Sequence, residues 1–184
     1  MKENVIHYTE EDRNFYNELH DAFVYDDGIL YWKHPKSNRI KPGDIAGVLW
    51  TNNKTGYSRW KIGFNGKKYH RSLLVYVMHY GHIPTASQVI DHINNTSTND
   101  RIENLRVTTQ HQNTQNKSKS RNKTNGKYKG VFLTKNGRWK TQIVVNGRCV
   151  YLGTFDCEET AAKEYNKAAT HYFGEYAKLN ELRT

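Results

Sequence analysis

Carboxylates are missing from a long stretch of this 184-residue chain: residues 104–155 hold eleven lysines and arginines and no aspartate or glutamate. The flanks are close to balanced, with 13 basic and 12 acidic residues in 1–103 and 4 basic and 6 acidic residues in 156–184. A span of one charge sign on this scale is an electrostatic footprint for a polyanion. Cysteine is scarce as well. Cys149 and Cys157 alone exclude a disulfide scaffold and a four-cysteine zinc site. No apolar run is long enough to span a bilayer, and the N-terminal MKENVIHYTEEDRNFYNELH has no apolar core of a secretory signal. The basic span is not an amphipathic helix with a bulky apolar face, which argues against a membrane surface. The expectation is an intracellular, reduced protein. With 36% hydrophobic residues and a mean hydropathy of −0.92, the core should be modest and split into pieces.

Tyrosine, tryptophan and glycine are plentiful: 13 Tyr, 4 Trp and 13 Gly against 3 Pro. They favour short strands joined by tight turns. Residues 8–20 suit a short helix. AFVYDDGILYWK then places two aromatic-rich runs around Asp26-Asp27-Gly28, and YSRWKIGF and KKYHRSLL flank Asn65-Gly66; both read as hairpins. LLVYVMHY, closed by Gly81, has helix-compatible spacing. Residues 117–126 are polar and basic, with Lys117, Lys119, Arg121 and Lys123, and read as a linker. Beyond it, KYKGVFL, RWKTQIVV and RCVYLGTF are three strand-like runs separated by Asn136-Gly137 and Asn146-Gly147. Arg138, Lys140 and Gln142 alternate with Trp139, Thr141 and Ile143, giving one polar and one packing face. A capping box at Asp156/Glu159 then opens a helix with Ala161, Tyr165, Ala168 and Tyr172 on one stripe.

The stretch that carries chemistry is VIDHINNTSTNDRIENLRVTTQHQNTQN, Val89 to Asn116. Asp91 is the only carboxylate between Asp44 and Asp100. An aspartate suits a hard divalent cation, since one or two carboxylates plus substrate phosphate often suffice for Mg²⁺. A histidine beside it can take a proton at working pH. Strand geometry points neighbours to opposite faces, so both can serve one site only where the strand ends or twists; Asn94-Asn95 suggests such an ending.

Asp91-His92, Asn104 and Asn113, with KKYHRSLLVYVMHYGHIP upstream and NDRIENLRVTTQHQNTQN downstream, resemble the motif of phage- and intron-encoded HNH homing endonucleases of the ββα-metal class. The resemblance covers residues 22–116. It implies His92 as general base, Asp91 and Asn113 as metal ligands, and Asn104 as the clamp on the loop between the two strands. It also implies one divalent cation, Mg²⁺ with Mn²⁺ as the alternative and no zinc, and products with 5′-phosphate and 3′-hydroxyl ends. A single motif supplies one active site, so a monomer, or a weak dimer, would most simply nick. His70, Arg71, Arg101 and Arg106 are candidate phosphate contacts.

The C-terminal residues Lys129-Gly130-Val131, Trp139, Tyr151-Leu152-Gly153-Thr154-Phe155, Glu159, Ala161-Ala162, Tyr165, Gly174 and Asn180 resemble the Apetala/ethylene-response-factor DNA-binding domain. That resemblance implies a sheet laid on the duplex through Lys129, Arg138, Gln142 and Tyr151. Lys140 and Arg148 join them on charge and face. The positions near Phe132, Thr134 and Val144 lack the basic residues of the plant pattern, so the base preference is not transferred.

The expected fold is α+β: small N-terminal β hairpins, a ββα-metal nuclease unit and a three-stranded antiparallel sheet packed on one helix. The expected organisation is an extension (1–21), a nuclease domain (22–116), a basic linker (117–126) and a DNA-binding domain (127–184). The expected partner is double-stranded DNA, with no membrane and no small-molecule cofactor, in a phage-infected bacterial cell. The alternative is a non-catalytic DNA-binding regulator descended from a homing endonuclease.

Overall fold

The thirteen residues of the first helix tie the beginning of the described chain into the first core. The computed structural model describes residues 8–116 and 126–182. Helix α1 (Glu10–Ala22) begins at Thr9, whose side chain accepts from the Asp12 amide while the Asp12 carboxylate accepts from the Thr9 amide, a reciprocal cap. The other Asp12 oxygen accepts from the Ile83 amide at 2.8 Å, seventy-one residues away. Leu19 and Ala22 are buried. Residues 10–22 are thus part of the first unit and not an extension, because the apolar stripe of α1 packs with Phe15 into its core.

Among the described residues ten strands and three further α-helices follow, the strands pairing antiparallel in two two-stranded and two three-stranded sheets. β1 (Phe23–Asp26) and β2 (Ile29–Trp32) form a hairpin whose turn residues Asp27 and Gly28 both have positive φ, 44° and 86°. This is the mirror-type turn that DG sequences favour. β3 (Val48–Thr51), β4 (Ser58–Phe64) and β5 (Lys67–His70) make a three-stranded sheet, with Asn65-Gly66 in the β4–β5 turn. α2 (Arg71–Tyr80) starts two residues earlier than its apolar run suggests and ends at Gly81 in the left-handed region. β6 (Gln88–His92) and β7 (Leu105–Thr109) pair, and α3 (Gln110–Asn116) follows directly in the chain. Leu19, Phe23, Leu30, Ile62, Leu74, Val75, Val77 and Leu105 form the core.

The chain divides at Thr109/Gln110 into two units, ahead of the stretch where composition places the linker. The second contains α3 and the sheet β8 (Val131–Leu133), β9 (Trp139–Val145) and β10 (Arg148–Phe155), in the order β10-β9-β8, with α4 (Glu158–Phe173) packed on it. This bears out the α+β expectation. Two details differ. The buried stripe of α4 is Ala161, Ala162, Tyr165, Ala169 and Phe173, and Tyr172 is exposed. The helix begins at Glu158 after Cys157, without a side-chain cap, because Asp156 is drawn to Arg138 at 2.8 Å instead. Asn180 closes the unit: its amide nitrogen donates to the Lys129 carbonyl at 3.1 Å, and its oxygen accepts from the Lys129 amide at 2.6 Å. No helix among the described residues is long and apolar enough to cross a membrane.

Candidate active site

The β6 strand ends at His92, and the chain turns away at once. Ile93 donates its amide to the Asn104 carbonyl at 2.9 Å, Asn95 donates to the His92 carbonyl at 2.9 Å, and Asn95 sits in the left-handed region at φ 63°. The register is regular through Asp91↔Arg106 and His92↔Leu105, so the pair keeps strand alternation and the chain turns away only after it. Asparagine is suited here because its short amide tolerates left-handed backbone and mimics a turn. Asn94 does the latter, accepting from the Thr96 amide at 2.8 Å.

Asn104 is 8% exposed and holds both ends of the loop. Its side-chain oxygen accepts from the Asn94 amide at 3.0 Å, and its nitrogen donates to the Asn99 carbonyl at 2.8 Å. The loop is further tied to β4 by Ser97, whose hydroxyl donates to the Ser58 carbonyl at 2.5 Å.

At the end of this loop lies a carboxylate that the spacing did not single out. Asp100, 3% exposed, accepts from His92 Nε2 at 2.7 Å through one oxygen and from Arg71 Nε at 2.8 Å through the other. Arg71 also donates to the Thr98 carbonyl at 3.2 Å and lies 4.6 Å over the Trp60 ring. An ionised carboxylate can only accept, so Nε2 of His92 carries a proton, and in the neutral ring Nδ1 is the basic nitrogen. Asp91, 6% exposed, is held across the sheet by its register partner Arg106, whose Nε and Nη2 donate to Oδ2 at 3.1 and 3.0 Å. The donor chemistry of Asp91 fits a hard cation. No cluster of three histidine, cysteine, aspartate or glutamate side chains suited to a metal occurs among the described residues. Amide, water and phosphate oxygens would therefore complete such a shell, which is the pattern Mg²⁺ accepts.

Comparison with known proteins bears on this geometry. The model of the HNH endonuclease family matches residues 69–115, a segment that holds Arg71, Asp91, His92, Asp100 and Asn104. An uncharacterized HNH endonuclease of Acanthamoeba polyphaga mimivirus is 35% identical over 140 residues, 75% of this chain and 70% of that protein. The chain belongs to the HNH endonuclease family. Its C-terminal part is similar to an AP2/ERF and B3 domain-containing protein of Oryza sativa subsp. japonica, 48% identical over 54 residues, and to an AP2/ERF and B3 domain-containing transcription repressor of Arabidopsis thaliana, 43% identical over 63 residues. These matches cover 29% and 34% of the chain but only 15% and 18% of the plant proteins. No solved structure matches the chain.

This HNH endonuclease is a nuclease hydrolase, and its structure redistributes the candidate DNA contacts. Arg71 is not available to a phosphate: it is buried against Asp100. Arg106 is engaged by Asp91, because directly opposed residues of an antiparallel pair share a face. Arg101 is surface-lying but bidentate to Asp27, at 2.6 Å on both oxygens. His70 is exposed and accepts at Nε2 from Arg59 at 2.9 Å. Asn113 lies on α3, in the second unit, and is half-buried. Lys117, Lys119, Arg121 and Lys123 lie outside the described residues.

In the second unit Lys140, Gln142 and Tyr151 share the face away from the helix, since Gln142 opposes Tyr151. Arg138 approaches that face but pairs with Asp156. Arg148 does not belong to it: it opposes Val145, which packs against the core, so the alternation assigns it to the helix side. Lys129 is half-buried, and burial, then the neighbouring Lys178 ammonium, push its amine down to about 8. In the unfolded chain that amine keeps its proton up to its ordinary value of 10.5. Between these values the unfolded state binds more protons, so the stability that Lys129 withholds at neutral pH is regained as pH rises through the window. Urea midpoints of the full chain and of Lys129→Met at pH 7.5 and 9.5 should show the difference between them shrinking at the higher pH. A constant difference would contradict the burial of the charge.

Proposed function

We propose that the protein is a divalent-metal-dependent DNA endonuclease of the homing type that nicks duplex DNA. In this reading His92 is the general base, Asp91 and Asn113 are the metal ligands, and Asn104 is the loop clamp. The observation that carries it is the hydrogen bond from His92 Nε2 to buried Asp100, beside Asp91 at the end of β6. That bond fixes the ring so that Nδ1 takes the proton from an attacking water. The hydroxide oxygen then bonds to phosphorus, the bond from phosphorus to the 3′ oxygen breaks, and the leaving oxygen takes a proton from solvent. The products carry 5′-phosphate and 3′-hydroxyl ends. A bound Mg²⁺ would supply Lewis-acid stabilisation of phosphate charge, with the Asp91 carboxylate as its ligand in the first unit. Arg106 compensates the Asp91 carboxylate, whose burial would otherwise be costly. Asp100 is a positioning residue, and Arg71 holds it in place through its second oxygen.

The second unit reads as a DNA-docking sheet of the Apetala/ethylene-response-factor kind. The similarity to plant AP2/ERF proteins and the face of Lys140, Gln142 and Tyr151 support this. The basic segment 117–126 would act as a tether and raise the effective concentration of the catalytic unit on bound DNA. One site per chain makes a nick the simplest product.

Supercoiled plasmid incubated with the full chain and Mg²⁺ should convert first to nicked circle, and EDTA should stop the conversion. End-labelling of the nicks should find 5′-phosphates. Cutting that continues undiminished in EDTA would overturn the metal assignment. Linear product appearing without a nicked precursor would overturn nicking.

A further inference from the structure

The outer face of the β3–β4–β5 sheet takes no part in the site above. Its register sets Trp50 opposite Arg59, Val48 opposite Lys61 and Lys61 opposite His70, with Lys68 two residues before His70. Opposed and alternate residues share a face, so these side chains project together. The other face turns Ile62, Phe64 and Tyr69 to the core. Val48 is 67% and Trp50 39% exposed.

Charge on this face is one-signed. Residues 45–90 contain six lysines and arginines and no carboxylate, which the near-neutral total over 1–103 conceals. Arg59 donates to two neutral groups, His70 Nε2 at 2.9 Å and Tyr57 Oη at 2.7 Å. Because His70 Nε2 accepts, that ring is neutral there; burial, then Arg59 and Lys61, push its pKa down. The buried Nε of Arg59 has no hydrogen-bond partner among the described residues. Its guanidinium lies 4.6 Å over the Tyr57 ring, and Lys61 Nζ lies 3.8 Å over the Trp50 ring. Aromatic rings hold these two cations in place. Among the described residues neither forms a salt bridge.

Such a face suits phosphates fixed in space. Rings already capped by cations are poor platforms for base stacking, which single strands and RNA loops require, so the face fits the backbone of a duplex. It also adjoins the active site. His70 precedes Arg71, which holds Asp100 and through it His92, and the Ser58 carbonyl of β4 anchors the loop through Ser97.

We propose that the outer face of the β3–β4–β5 sheet, through Arg59, Lys61 and Lys68, binds backbone phosphates of the duplex substrate next to the scissile position. This rests on the reading that the chain cuts duplex DNA. The face orients the duplex for the catalytic unit independently of the C-terminal sheet.

The test uses the full chain with Arg59→Gln, Lys61→Gln and Lys68→Gln combined. Binding to a fluorescent duplex oligonucleotide is followed by anisotropy in EDTA, from low to physiological salt. Each lost phosphate contact removes about 0.9 from the slope of log affinity against log salt, so the slope should flatten by roughly 2 to 3. On plasmid with Mg²⁺, KM should rise with kcat nearly unchanged, the signature of lost uniform binding. A wild-type slope in a variant that melts like the unaltered chain overturns the proposal. So does a variant whose sedimentation changes while its DNA slope does not, since the face would then be a protein contact. If the triple variant does not fold, Lys68→Gln alone, at an exposed strand position, should flatten the slope by about 0.9, and an unchanged slope there also overturns the proposal. His92→Ala separates the two readings. It should bind with the full slope and not cut; if it still cuts, the catalytic assignment fails while the slope continues to report on the face.

Discussion

Cleavage of plasmid by His92→Ala is expected to fall by roughly 10²–10⁴-fold, the usual contribution of a positioned general base. Asp100→Asn should lose nearly as much. The aspartate accepts from Nε2 and thereby leaves Nδ1 as the basic nitrogen. An asparagine amide can donate to Nε2 instead, which moves the ring proton to Nδ1 and removes the base. An asparagine in place of the orienting aspartate of a serine-protease triad lowers kcat by about 10⁴ for this reason. The loss should appear in kcat with KM little changed, because Asp100 is buried behind His92 and Arg71. Nitrogen NMR of the cation-free protein should show His92 protonated at Nε2 in the unaltered chain and at Nδ1 in Asp100→Asn. An Asp100→Asn enzyme that cuts at the unaltered rate would remove Asp100 from the mechanism.

Arg71→Met is expected to destabilise the first unit by about 3–5 kcal/mol. Arg71 and Asp100 are 3% exposed each, and Asp100 would keep a buried charge without its cation. The contact over Trp60 would go as well. Replacing both partners should recover much of the stability, because a buried ion pair and well-packed apolar residues of similar volume are often close in free energy. Urea unfolding of Arg71→Met and of Arg71→Met/Asp100→Leu checks this. A single variant within about 1 kcal/mol of the unaltered chain would show the pair to be solvated.

The hairpins were legible because turn chemistry is local: Asp27-Gly28, Asn65-Gly66 and Asn146-Gly147 all take the positive φ values that the DG and NG pairs imply. The helix α2 and the three-strand-plus-helix order of the second unit were legible from periodicity. The Asp-His pair stood out as a lone carboxylate beside a histidine and Asn104 through the HNH resemblance, and the structure sets both ends of the Asn94–Asn99 loop on Asn104. What spacing does not carry is pairing across the fold. Asp100 lies eight residues from His92 in an irregular loop, where no period links the two, and Arg71 comes from another element altogether. Arg71 and Arg106 read as surface cations for the same reason: their carboxylates are neighbours in space and not in sequence. The cationic outer sheet face was hidden by averaging, since the acidic residues of α1 and the first hairpin cancel it in any total taken over the N-terminal half.

One glycine shows how far constraint can travel from the chemistry. Gly28, in the β1–β2 turn, lies against the backbone of Asp100 and Arg101; a Cβ there would fall 2.7 Å from the Arg101 nitrogen and 2.9 Å from the Asp100 carbonyl carbon. The Arg101–Asp27 pair fastens the same two segments from outside. A first methyl group at position 28 would therefore push on the peptide that carries Asp100, the carboxylate behind the proposed base. Among variants of this enzyme, activity could be tuned from a hairpin seventy residues upstream by nothing larger than a carbon atom.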